Sequence, residues 1–129
     1  MHVRNAIGGE VDVCAPGDTL LQAARQMKAK DHGALAVTVD GRLVGIISER
    51  DVLGAVADHL NPERVTVAEV MTPNPDSLDP EVDISEAAEW MLAAGYRHLP
   101  VVSGNALLGM VSIKDILWAV TGPSPARQI

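Results

Sequence analysis

Aromatic side chains are almost absent from this chain of 129 residues, which has two Trp, one Tyr and no Phe. The core must therefore be built from Ala, Val, Leu, Ile and Met. Single-stranded nucleic acid is disfavoured as a partner, because its binding relies on aromatic side chains that stack on bases. The formal charge of −7 also argues against a phosphate-backbone binder, although a local basic pocket remains open.

Cysteine and long apolar runs are equally scarce. The single cysteine, Cys14, argues against a disulfide framework or a zinc site and favours a reduced, cytoplasmic setting. With no run of 18 apolar residues and no apolar leader, we predict neither membrane insertion nor secretion. The sequence contains no G-x-S-x-G, P-loop or G-x-G-x-x-G motif, and its four histidines lack metal-ligand spacing. An enzyme is therefore disfavoured.

The chain repeats itself at a fixed spacing. Residues 3–56 align without a gap onto residues 67–120, with 16 identical positions in 54. The first repeat is predicted at 1–57, a connector at 58–66, the second repeat at 67–120 and a frayed tail at 121–129. About 54 residues bury too little apolar surface to be comfortable alone, so the repeats are expected to pack together.

The first repeat predicts the order β-α-β-β-α. A short strand near 11–14 precedes a helix that Asp18 or Thr19 caps and that Gly33 ends. The helix has apolar residues at helical spacing, and two β-branched strands follow at 35–39 and 43–47, joined by an Asp-Gly hairpin turn. A second helix opens after Ser48.

The second repeat gives the same pattern. A short strand is expected near 76–78, a helix from about 83 to 94, and strands near 98–103 and 107–111 around a Gly-Asn turn. The last helix opens at Ser112. The fold class is therefore α+β, with two tandem β-α-β-β-α repeats.

Three stretches carry a resemblance to a known family: GIISERD and GMVSIKD, which close the two strand pairs, and RHLPVV in the second repeat. Together with the duplication, they resemble a tandem pair of cystathionine β-synthase (CBS) domains, also called a Bateman module, over residues 3–120. The resemblance implies repeats that pack through their sheets with pseudo-two-fold symmetry. It also implies an adenine nucleotide bound in the cleft between the repeats, a regulatory role and homodimers of such pairs.

The Ser-x-x-Asp motifs, Ser48 with Asp51 and Ser112 with Asp115, admit two interpretations. A helix N-terminus favours phosphate, and a carboxylate there can accept hydrogen bonds from a ribose diol. The same spacing also forms a capping box that needs no ligand. Gly45 and Gly109 are likewise open: they let an adenine approach the strand, or they permit tight packing.

The resemblance favours a ligand site in the second repeat. Arg97 suits a phosphate, His98 a phosphate or a base, and Tyr96 either stacks on adenine or packs at the rim. Pro100 is expected at the sheet edge and, in the family, lines the base pocket. The full second-site set is Ser77, Tyr96, Arg97, His98, Pro100, Gly109, Ser112, Lys114 and Asp115.

The first repeat departs from the family pattern, because Ala36 replaces the proline and no arginine precedes it. Val13 also replaces the hydroxyl residue that Ser77 provides. The weaker first-site set is Val13, His32, Gly33, Ala34, Gly45, Ser48, Arg50 and Asp51.

The leading hypothesis is a non-catalytic sensor of AMP, ADP, ATP or NADH, with AMP ranked first because the chain is acidic and has few cations. A partner protein would respond to occupancy. The alternative is a protein-interaction or dimerisation module that binds no nucleotide. No metal, nucleic acid or membrane partner is predicted.

Overall fold

The computed structural model describes residues 1–7 and 11–121, so residues 122–129 of the expected frayed tail lie outside the described residues. The chain has a mixed α+β fold, as predicted. It divides into a first unit, residues 11–75, and a second unit, whose described part is residues 1–7 and 76–121. Among the described residues, no helix combines the length and the apolar character that crossing a membrane requires.

The first unit is a four-stranded sheet with three helices. Its strands, β1 (Val13–Cys14), β2 (Ala34–Val39), β3 (Arg42–Ser48) and β4 (Thr72–Pro73), lie in that order, with β1 parallel to β2 and the other neighbours antiparallel. Asp40 and Gly41 both have positive φ, 51° and 78°, as the predicted hairpin turn between β2 and β3 requires. Its helices are α1 Leu20–Lys30, α2 Glu49–Ala57 and α3 Val67–Val70.

Helix α1 begins where the sequence predicts and ends earlier. Thr19 is the N-cap: its hydroxyl accepts from the Gln22 N–H, and the Gln22 side chain accepts from the Thr19 N–H. The prediction that Gly33 ends the helix was wrong, because Asp31 already adopts a left-handed conformation with φ 55°. Aspartate tolerates this conformation better than most residues, so it serves as the C-cap.

The second unit repeats the hairpin of the first. The pair His98↔Ser112 matches Ala34↔Ser48 in register, and both hairpins shift register at the same repeat position. Gly95, with φ 78°, ends the long helix as Asp31 does in the first unit. The elements are a 3-10 helix Val3–Ala6, α4 Ile84–Ala94, β5 His98–Ser103, β6 Ala106–Ser112 and α5 Ile113–Thr121.

The short entry strands that precede the first long helix of each unit, predicted near 11–14 and near 76–78, differ in their pairing. A proline explains the difference. In the first unit the Ala36 N–H donates to the Asp12 carbonyl at 3.1 Å, and β1 pairs with β2 over two residues. In the second unit Pro100 stands at the position of Ala36 and has no N–H to donate. The strand predicted near 76–78 is therefore reduced to one bridge, between Leu78 and Val101.

The compact units do not coincide with the sequence repeats, because equivalent segments are exchanged. Val3, in the predicted first repeat, is fully buried in the core of the second unit, and its N–H donates to the Val82 carbonyl at 2.9 Å. Val67, its equivalent in the predicted second repeat, is fully buried in the first unit and donates to the Asp18 carbonyl at 2.8 Å. Each unit therefore completes its core with a segment from the other repeat.

Candidate functional site

Five of the predicted second-site residues lie at one end of the β5–β6 hairpin. His98 pairs with Ser112 across the strands, and α5 begins immediately after Ser112. The Ile113 N–H donates to the Arg97 carbonyl at 2.8 Å, which holds Arg97 against the start of α5. We call Arg97, His98, Ser112, Lys114 and Asp115 the second-repeat cluster.

The Ser112–Asp115 motif forms a capping box with one long bond. The Asp115 N–H lies 3.1 Å from Ser112 Oγ, and the Ser112 N–H lies 3.4 Å from Asp115 Oδ2. Both bonds are exposed to solvent, and the Asp115 carboxylate is only weakly engaged by its own helix. The two interpretations of this motif are thus compatible: the aspartate caps α5 and still offers acceptors to a ligand.

The first-repeat motif is tighter. The Ser48 N–H donates to Asp51 Oδ2 at 2.8 Å, and the Ser48 hydroxyl donates to the same oxygen at 3.2 Å. These bonds are part-buried, whereas those of the second repeat are exposed. The Asp51 carboxylate is therefore held more tightly by its capping hydrogen bonds than the Asp115 carboxylate is.

The cationic side chains of the second-repeat cluster are available. Arg97 and Lys114 are exposed, and within residues 1–7 and 11–121 neither has a carboxylate at salt-bridge distance. Arg50 in the first repeat is also exposed and unpaired in the part of the chain that the structure describes. An anion placed at either junction meets cations that need not first break an ion pair.

Tyr96 has the geometry of a rim residue. Its ring packs edge-to-face on Trp90, with centroids 5.4 Å apart and an interplanar angle of 75°. Its hydroxyl donates to the Asp76 carboxylate. That hydrogen bond, with smaller contributions from burial and from the charge of Asp76, raises the pKa of Tyr96.

Pro100 and Ser77 lie beside the Leu78 bridge. Pro100 is buried, and its carbonyl accepts from the Leu78 N–H at 2.9 Å. Since the nitrogen and carbonyl of one strand residue face the same side, the missing N–H faces the short segment at Leu78 rather than β6. Ser77 is exposed and precedes the bridge, so its hydroxyl stands outside the strand ladder.

Gly45 and Gly109 are covered by protein side chains, which supports the packing interpretation. A Cβ on Gly109 would lie 2.5 Å from Ile7 Cγ2. A Cβ on Gly45 would meet the Met71 sulfur and would lie 3.1 Å from the Thr72 carbonyl oxygen. Ile7 and Met71 were missed by the sequence prediction, although they are repeat equivalents of each other, as the two glycines are.

The remaining first-site residues divide between two places. Gly33 and buried Ala34 lie at the junction with α2, where the Glu49 N–H donates to the Gly33 carbonyl at 3.0 Å. Exposed Val13 and His32 lie beside Asp12, whose carboxylate contacts the His32 Nδ1 atom. No three His, Cys, Asp or Glu side chains come together as a possible metal site in residues 1–7 and 11–121.

Comparison with known proteins identifies the repeats. The CBS domain model matches residues 4–58 and 67–122. This chain belongs to the CBS domain family. An uncharacterised 17.7 kDa protein from Acidianus ambivalens is 36% identical over 115 residues, which are 86% of this chain and 68% of that protein. The CBS-domain containing protein ATU1752 from Agrobacterium tumefaciens matches with a TM-score of 0.85 and 30% identity, over 93% and 99% of the two chains.

Two further structures match this CBS pair in fold. The CBS domain pair of MJ0100, in complex with 5′-methylthioadenosine and S-adenosyl-L-methionine, has a TM-score of 0.86 at 22% identity, over 95% and 97% of the two chains. PAE2072 from Pyrobaculum aerophilum, complexed with AMP, has a TM-score of 0.85 at 23% identity, over 95% and 100%. At such identities the likeness shows the fold.

Proposed function

We propose that this CBS pair is a non-catalytic regulatory module that binds an adenine nucleotide through its second-repeat cluster. The observation that carries the proposal is the juxtaposition of an accessible carboxylate, Asp115, with two cations, Arg97 and Lys114, that have no salt-bridge partner in the described part of the chain. A ribose diol donates to the former and a phosphate accepts from the latter. The adenosine ligands of MJ0100 and PAE2072 support this assignment by likeness of fold.

Among ADP, ATP, NADH and AMP, we rank AMP first. The cluster supplies two cations, Arg97 and Lys114, and the chain carries a net charge of −7, so each additional phosphate adds repulsion. The first repeat is the weaker site, because it has no arginine at the position of Arg97 and Asp51 is held by Ser48. A nucleotide that favours one conformation of the module shifts its population, and a regulated protein responds to that shift.

Calorimetric titration of the full chain with AMP, ADP, ATP, NADH and S-adenosylmethionine tests the proposal. We expect Asp115→Ala to weaken AMP binding about 10-fold or more, since it removes charge-assisted hydrogen bonds. Asp51→Ala is the matched control and should change the affinity of this site much less. The proposal fails if no ligand binds at millimolar concentration, or if Asp115→Ala binds AMP as the unmodified protein does.

One observation favours the second candidate function, a dimerisation module. An apolar strip runs along α2 and just beyond it, where Leu53, Val56 and Leu60 are 69%, 59% and 40% exposed. Leu53 and Val56 are three residues apart and therefore lie on one face of α2, and Leu60 follows the end of the helix. We propose that a second copy of the chain covers this strip in a homodimer.

Light scattering after size exclusion measures the oligomeric state. Leu53→Glu should convert a dimer to a monomer, because a buried unpaired carboxylate is costly. Leu92→Glu, at a position on α4 that is 59% exposed, is the control and should leave the dimer intact. A monomeric unmodified protein would contradict the homodimer without affecting nucleotide binding.

A further inference from the structure

Two aspartates that the ligand assignment does not use occupy equivalent repeat positions. Asp12 and Asp76 align with each other in the duplication and are among its identical positions. The Asp12 carboxylate contacts His32, and the Asp76 carboxylate accepts from the Tyr96 hydroxyl. His32 and Tyr96 are equivalent positions as well, so the contact is retained while the donor has changed from imidazole to phenol.

The Asp76–Tyr96 bond joins two chain segments that each carry a proposed ligand residue. Asp76 directly precedes Ser77, and Tyr96 directly precedes Arg97. Arg97 is therefore fixed on both sides: its own carbonyl accepts from the Ile113 N–H, and its neighbour is tied to Asp76. An arginine whose backbone is held this way loses less backbone freedom when it binds a phosphate.

The phenol hydroxyl is not needed to keep the Tyr96 ring in place. The ring already packs on Trp90, and the Tyr96 N–H donates to the Met91 carbonyl at 2.9 Å at the end of α4. What the hydroxyl adds is a link to the segment of Asp76. Among the described residues, that segment pairs with β5 through the Leu78 bridge alone, because Pro100 cannot supply the bond that Ala36 gives to Asp12.

We propose that Asp76 is a positioning residue for the second-repeat cluster, acting through the Tyr96 hydroxyl to orient Arg97 toward the phosphate of a bound nucleotide. This inference rests on the proposed function. It assigns Asp76 and Tyr96 no contact with the ligand. Its signature is a loss of phosphate recognition alone, with nucleoside recognition unchanged.

The test compares AMP with adenosine, titrated into the full chain by calorimetry. Tyr96→Phe, which keeps the ring on Trp90, should weaken AMP binding roughly 3- to 10-fold and leave adenosine binding unchanged. Asp76→Ala should do the same, and Asp76→Asn, which retains an acceptor for the phenol, should restore most of the affinity. In an Arg97→Ala background, Tyr96→Phe should have no further effect on AMP. Ser85→Ala, which removes an exposed hydroxyl from α4, is the control.

The outcomes separate the two proposals. If the unmodified protein binds neither AMP nor adenosine, the proposed function fails. If it binds AMP and Tyr96→Phe leaves the ratio of AMP to adenosine affinity unchanged, the positioning role of Asp76 is refuted while the proposed function stands. Equal weakening of AMP binding and adenosine binding also refutes the positioning role, since that result indicates a general loss of structure.

Discussion

Gly109 has no room for a side chain, because Ile7 packs directly against it. Since an added Cβ would lie 2.5 Å from Ile7 Cγ2, Gly109→Ala forces a stiff β-branched side chain to move. We expect the free energy of unfolding to fall by about 1–3 kcal/mol, the usual cost of overpacking. Urea denaturation of the full chain measures this loss.

Gly54 provides the matched control for that substitution. It lies inside α2, where an added Cβ has nothing within 4 Å. Gly54→Ala should therefore raise the free energy of unfolding by up to about 1 kcal/mol, because alanine favours the helix. Equal effects of the two substitutions would contradict the packing role of Gly109.

Cys14 is predicted to be chemically inert in the folded protein. Burial, and to a smaller extent the charge of Asp18, raises the pKa of its thiol to about 11, so little thiolate forms at pH 8. Reaction with Ellman's reagent should be much slower in the native protein than in urea. Fast labelling of the native protein would contradict this prediction.

The raised pKa of Cys14 also predicts how the free energy of unfolding changes at alkaline pH. The folded-state pKa of Cys14 is raised above its ordinary value of 9.0. Its contribution to the free energy of unfolding is therefore complete below pH 9 and is lost as the pH rises toward 11. Cys14→Ser removes this dependence and serves as the comparison in urea titrations at several pH values.

The entry strand of each unit depends on one backbone N–H. Ala36→Pro removes the bond from the Ala36 N–H to the Asp12 carbonyl, so β1 should pair over fewer residues and the protein should lose about 1 kcal/mol or more. Pro100→Ala makes the opposite change and should create a slowly exchanging amide at residue 100. Hydrogen-exchange NMR detects both effects, and a fast-exchanging amide at residue 100 in Pro100→Ala would contradict the explanation.

The regular elements were predictable because they rest on local signals. Turn residues indicated both hairpins, and Thr19 indicated the start of α1. Because the chain is duplicated, the pattern of each repeat supported the prediction for the other. The end of α1 was misplaced because Asp31 adopts the left-handed conformation usually associated with glycine. Strand β4 was not predicted, because Thr72–Pro73 is too short for a period-2 pattern and forms by pairing with β3.

The candidate site was predictable to the extent that neighbours in sequence stay neighbours in space. Hairpin register alone brings Arg97 and His98 to Ser112 and Asp115. Neither the cover that Ile7 gives to Gly109 nor the bond from Tyr96 to Asp76 follows from local pattern, since each joins distant segments. The constant offset between the repeats was the available signal. It identifies equivalent positions in the two repeats but does not show which residues contact each other.

The exchange of segments between repeats predicts where a core substitution is felt. Val3→Ala should cost about 2 kcal/mol and should increase hydrogen exchange in residues 76–121, because Val3 is buried with that unit. Val67→Ala, its repeat equivalent, should increase exchange in residues 11–57. Mass spectrometry of exchanged peptides locates each effect. If each substitution instead increased hydrogen exchange in its own sequence repeat, the exchange of segments between the repeats would be disproved.

The exchange of Val3 and Val67 also constrains the order of folding during synthesis. Residues 1–7 leave the ribosome long before the strands of residues 98–112, which contribute to the core that buries Val3. The emerging chain must hold an apolar segment without its partner, whereas the core cluster that buries Val67 lies, as far as the structure describes it, entirely within residues 11–75. The first unit is therefore free to fold on the ribosome, and the second reaches its native core only when nearly all of its residues have emerged.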